Sequence, residues 1–117
     1  MNWEIDKNAL VVDGMEIKVF PYPVRTAKEI QGTVIIVLDI PPNVIFSDNV
    51  YGYVLREKYL WQIEPCGYYP HEPASDICII GISPMLVHGQ VVFCTWLGVL
   101  VYVDLLTGKV TKIEISK

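Results

Sequence analysis

The chain is poor in the groups that do chemistry. Its 117 residues include two histidines and three cysteines, with none of the Cys-x-x-Cys or His-x-x-x-His spacing that holds zinc. It has no glycine-rich phosphate loop, no nucleophile elbow and no basic stripe interleaved with aromatics. Basic charge is scarce as well. Nine Lys and Arg against thirteen Asp and Glu leave a net charge of −4 and a pI near 5.0. That balance argues against nucleic acid or an anionic membrane surface as partner, because either favours a basic face.

The odd cysteine count does not suit a secreted disulfide framework. Cys78 and Cys94 lie inside apolar runs, where a thiol behaves as a small hydrophobe. The opening Met-Asn-Trp-Glu-Ile-Asp-Lys carries neither the basic nor the apolar region of a signal peptide. The cytoplasm is therefore the expected location. Charge is missing altogether from Ile77 to Val103, a stretch of 27 residues. A membrane helix needs about 20 apolar residues in one run. Here Pro84 and the His88-Gly89-Gln90 turn divide the stretch, and the β-branched Val91, Val92, Val99, Val101 and Val103 favour strand.

What is present is strand and turn. A composition that is 52% hydrophobic and 19% charged excludes a disordered chain, and the length fits one domain, residues 1–117. Pattern and punctuation place about ten short strands. Asn2 to Ile5, Ala9 to Val12 and Met15 to Phe20 are separated by the polar trio Asp6-Lys7-Asn8 and by the tight-turn pair Asp13-Gly14. Val24 to Gln31 could hold a helical turn at Ala27-Lys28-Glu29, but Val24, Thr26 and Gln31 fit a strand better. Thr33 to Ile40 is almost continuously apolar, as a central strand would be. Later strands are expected at 50–55, 59–63, 77–83, 91–96, 99–105 and 110–115. No helix of ten or more residues can be placed.

One hairpin is written twice. Val50-Tyr51-Gly52-Tyr53-Val54 leads through Arg56-Glu57-Lys58 into Tyr59-Leu60-Trp61-Gln62-Ile63. At an offset of 49 residues, Val99-Leu100-Val101-Tyr102-Val103 leads through Leu106-Thr107-Gly108-Lys109 into Val110-Thr111-Lys112-Ile113. The offset is near the period of a propeller blade, yet two such units cannot close a propeller. The expected fold is all-β, a single-domain antiparallel meander, shaped as a twisted sandwich or a small barrel.

Candidate functional residues gather in the proline-rich stretch 65–76. Cys66, His71, Glu72 and Asp76 are metal-ligand types, but their spacing matches no metal site, so no metal, cofactor or catalytic residue is assigned. Tyr68 and Tyr69 are aromatics on a loop stiffened by proline, which suits a protein-binding patch. Tyr68, Tyr69, His71, Glu72 and Asp76 are thus the candidate partner-binding residues. The alternative places a small-ligand or hydrolase site at the same loop, at the mouth of a barrel. Trp3, Trp61 and Trp96 are expected to anchor the core with their indole N–H groups paired.

The run Asn49-Val50-Tyr51, then Leu60-Trp61-Gln62-Ile63-Glu64, and later Trp96-x-Gly98, Tyr102-Val103-Asp104 and Thr107-Gly108-Lys109 resemble a family of small uncharacterised bacterial proteins. The resemblance covers about the second half of the chain. It implies a compact, acidic, non-enzymatic role of the kind immunity proteins play beside polymorphic toxins. The leading expectation is a non-enzymatic protein-binding module, plausible as an immunity protein that neutralises a toxin. A homodimer is the other expected partner. Ile79-Ile80, Val91-Val92-Phe93 and Val99-Leu100-Val101 place apolar side chains on both strand faces, so one face is expected to meet a second chain.

Overall fold

The structure is a computed structural model that describes residues 2–41, 48–63, 79–87, 89–95 and 99–115; for 79–87, 95 and 115 it describes the backbone alone. Short strands joined by tight turns build three antiparallel meanders in chain order. The first comprises β1 (Trp3–Asp6), β2 (Ala9–Val12) and β3 (Met15–Val19). The second comprises β4 (Val24–Ile30), β5 (Thr33–Leu38), β6 (Val50–Val54) and β7 (Tyr59–Gln62). The third comprises β8 (Ile79–Val87), β9 (Gln90–Thr95), β10 (Val99–Asp104) and β11 (Val110–Ile115). No helix occurs among the described residues.

Local sequence explains the turns. Asp13-Gly14 and Gln31-Gly32 both have positive φ at two successive residues, the geometry whose twist matches flanking antiparallel strands. The expected strand at 24–31 is β4, and the alternative helical turn does not form. One strand runs further than expected. β8 continues past Ser83 and Pro84 to Val87, with a register shift between Ile82 and Leu86. A bulge on the outermost strand of a sheet is where proline is tolerated, because no neighbour there needs its missing N–H.

The second sheet is the middle layer of three. Its strands β5 and β6 are buried at every position, which is why their sequences are apolar without alternation. Ile35, Val37, Val50, Val54, Trp61 and Ile63 pack against Val91, Phe93, Val99, Val101 and Val103 of the third sheet. On the opposite face, Val34, Ile36, Leu38, Tyr51 and Tyr53 pack against Leu10, Val12 and Phe20 from the first sheet and its exit. Each fully buried Val, Leu, Ile or Phe contributes about 1.5–3 kcal/mol of transfer free energy. Cores on both faces thus make the middle sheet the backbone of the fold.

The repeated hairpins take equivalent places, as third and fourth strands of the second and third sheets. Val50 and Val54 of one, and their counterparts Val99 and Val103 of the other, all point into the shared core. Equivalent faces therefore look at each other, as the two halves of a sandwich do. Trp3 is tied across layers, its indole N–H donating to Glu29 Oε1 at 2.8 Å. Trp96 lies outside the described residues.

Candidate functional site

The turns of the two repeated hairpins meet at one end of the sandwich, and one side chain brings them together. Trp61 stands opposite Gly52 in the β6–β7 register. With no side chain there, the indole lies flat over the Gly52 backbone; a Cβ at Gly52 would collide with its ring atoms. The far edge of the same ring rests on Gly108, where a Cβ would come within 2.5 Å of it. Its Nε1–H donates to the Leu105 carbonyl at 2.9 Å. The β10–β11 turn is in this way fastened onto β7.

That turn is shaped by its own polar groups. Asp104 Oδ1 accepts from the Leu106 amide at 2.8 Å, and the Asp104 carbonyl accepts from the Gly108 amide at 3.0 Å. Gly108 takes a φ of 79°, open to glycine without strain. Leu106 is left facing outward, 59% exposed. In the β6–β7 turn Lys58 takes a left-handed φ of 53°, and the next residue, Tyr59, is 51% exposed. The Leu55 amide donates to the Gly32 carbonyl at 3.0 Å, which draws in the β4–β5 turn as well.

Together the three turns bound an open groove of about 1010 Å³. Tyr59, Leu106, Val54 and Leu55 supply its apolar surface, and Arg56, Glu57 and Glu29 supply its charge. Glu29 keeps its charge while its carboxylate accepts from Trp3. Arg56 and Glu57 are exposed and make no ion pair among the described residues. No group of three or more His, Cys, Asp or Glu able to hold a metal occurs among the described residues. What the groove can do chemically is bury apolar surface and match charges.

The residues singled out from sequence, Tyr68, Tyr69, His71, Glu72 and Asp76, lie outside the described residues, as do Cys66, Cys78 and His88. Cys94 is a free thiol, partly buried. The groove residues were missed, although one signal was legible: Leu106 is an apolar residue in an otherwise polar turn.

The uncharged stretch tells a second story. Tyr102 and Val92 are paired on the face of the third sheet that points away from the shared core. Both are nonetheless covered within the single chain, at 7% and 0% exposure. Tyr102 lies beneath Lys112, whose Nζ sits 5.2 Å from the ring centre, and its hydroxyl donates to Glu114 Oε1 at 3.2 Å. The apolar character of these two residues is thus met without a second chain.

Residues 1–115 match the model of a family described as a domain of unknown function, DUF7957. The chain belongs to that family. No curated protein and no solved structure matches it. The family match spans all three sheets, so the sandwich, its third layer and the groove fall within one family unit.

Proposed function

We propose that this DUF7957 protein is a non-enzymatic protein-interaction module that docks its partner at the groove between the three turns. The observation carrying this reading is the juxtaposition of Tyr59 and Leu106. They are two of the large apolar side chains left more than half exposed, and they line one groove with Arg56 and Glu57, which make no ion pair among the described residues. Aromatic anchors with a charged rim are the composition of binding hot spots. Tyr59 offers a broad contact surface at the cost of ordering only two torsions.

The reading is tested by placing a photo-crosslinking amino acid at position 59 or 106 in the full chain and irradiating living cells. A discrete protein adduct at both positions, and none when the same group replaces the exposed Glu16 of β3, is the expected result. Adducts at position 16 alone, or at none of the three, would overturn it. Because the sequence leads to the expectation of an immunity role, a toxin is the first hetero-partner to try. The purified chain would then suppress the toxin's activity at a one-to-one ratio, and Tyr59→Glu would abolish that protection.

A further inference from the structure

We infer that β11, the outermost strand of the third sheet, is an interface at which a second copy of this chain pairs antiparallel, strand to strand, about a two-fold axis at Ile113. β11 bonds β10 on one side, and no described strand pairs with its other side. A free strand edge is a row of backbone donors and acceptors ready to take another strand. Which strand fits is decided by the triad Lys112-Ile113-Glu114. Run antiparallel to itself about Ile113, the triad sets Lys112 of each copy opposite Glu114 of the other and the two isoleucines opposite one another. Directly opposed residues have Cβ atoms about 4.5–5.5 Å apart, close enough for these charges to meet. Within one copy Lys112 Nζ already lies 3.4 Å from Glu114 Oε2, so both side chains share a face. In the pair each charge gains a second neighbour of opposite sign, and like charges meet only across the diagonal. Ile113, half-buried at the margin of the shared core, gains cover from its copy. The balance holds beyond the triad. From 99 to 115 the hairpin carries two acids, Asp104 and Glu114, and two bases, Lys109 and Lys112.

Three other sheet edges do not offer the same match. β3 carries a similar triad, Glu16-Ile17-Lys18, but its register breaks there. Glu16 stands opposite Val11 and Lys18 opposite Leu10, adjacent residues that face opposite ways, so a copy of β3 would find acid and base on different faces. Lys18 turns inward instead, its Nζ 5.6 Å from the centre of the Tyr51 ring. β1 paired about Ile5 would set Glu4 against Asp6, like charge against like. β8, at the far edge of the third sheet, contains Pro84, which has no N–H to give. In β11 the register break falls at Thr111, ahead of the triad. Lys112, Ile113 and Glu114 therefore alternate regularly opposite Tyr102, Val101 and Leu100. Each chain has one β11, so the pairing closes as a dimer and does not propagate. β11 does not line the groove, and this interface stands apart from the docking reading.

Light scattering of the full chain at micromolar concentrations, with charge exchange, tests this. The wild type is expected to run at twice 13.3 kDa. Lys112→Glu and Glu114→Lys should each raise the dissociation constant about tenfold or more, because each turns two cross-strand attractions into repulsions. An equimolar mixture of the two variants should restore a one-to-one dimer, since every cross-pair is then of opposite sign. The double variant Lys112→Glu/Glu114→Lys, which keeps the net charge, should dimerise by itself. Both positions are exposed, so circular dichroism should stay at the wild-type spectrum. Amide hydrogen exchange of the wild type supplies a readout that needs no variant: exchange in β11 should slow as concentration rises, while that in β3 stays constant. A monomeric wild type, a dimer indifferent to both single exchanges, a mixture that stays monomeric, or concentration-dependent protection found elsewhere but not in β11 would each overturn the inference. The docking reading is tested at positions 59 and 106 and is untouched by either result.

Discussion

The two hairpins share a pattern but solve different packing problems. In the first, the cross-strand pair on the core face is Gly52 with Trp61. In the second, the equivalent strand position is Val101, paired with Ile113. Two medium side chains fill the second site and pack into the core shared by the two sheets. Concentrating the bulk in one ring lets the first reach across to Leu105 and Gly108 of the other hairpin. The outward tyrosines differ in the same way. Tyr53 lies under the first sheet, whereas Tyr102 is roofed by Lys112 and Glu114. A repeat in sequence thus becomes a core element in one copy and a cap in the other.

The strongest way to break this comparison is Trp61→Ala. Losing a buried indole costs about 3–5 kcal/mol, and the Leu105 carbonyl loses its donor besides. Urea unfolding should show that loss; a cost below about 1 kcal/mol would mean that the indole is not what joins the turns. Gly52→Ala comes next. Its new methyl meets the face of a ring already held at both ends, an overpacking cost of about 1–3 kcal/mol. Combined with Trp61→Leu, which vacates that space, the methyl should be tolerated, so the double variant should be more stable than the two costs added. Additive costs would show that the two residues do not share one space.

The second hairpin should respond more gently. Tyr102→Phe keeps the ring under Lys112 and removes only the hydroxyl bonded to a half-exposed Glu114, for about 0.5–1.5 kcal/mol. A larger loss in the same urea series would make the cap as important as the core pair.

The smallest effect concerns Tyr51 of the first hairpin and appears only in alkali. Burial, and then the Asp48 carboxylate, hold its hydroxyl above the ordinary value of 10.0. Folded Tyr51 therefore keeps its proton to a higher pH than the unfolded chain does. The resulting stability is intact below about pH 10 and is lost as pH rises through the raised value. Tyr51→Phe should lose less of its denaturation midpoint over that window than the wild type loses. Equal slopes for the two proteins would show that Tyr51 titrates alike folded and unfolded.

Much of the architecture was legible because it is local. Asp13-Gly14 and Gln31-Gly32 mark hairpin turns through the φ values they allow, and the unbroken apolar run of β5 announces a strand buried on both faces. Pro84 misled, because sequence alone does not show whether a proline interrupts a strand or sits in a bulge at the sheet's rim. The groove was not legible. Tyr59 looks like an ordinary strand residue and Leu106 like a stray apolar residue, and nothing in either neighbourhood says that they meet.

By itself, the sequence determined that this chain forms short antiparallel strands, that two of its hairpins are alike, and that the strand around Ile35 is enclosed. Turn geometry and strand patterning depend on residues a few positions apart, so their signals survive in one dimension. Only the tertiary structure decided which meander lies in the middle, which copy of the hairpin receives the indole, and where apolar surface is left uncovered. Those outcomes depend on side chains far apart in sequence competing for the same space, as Trp61 does between Gly52 and Gly108. Such competition is settled by the packed volume of the whole domain.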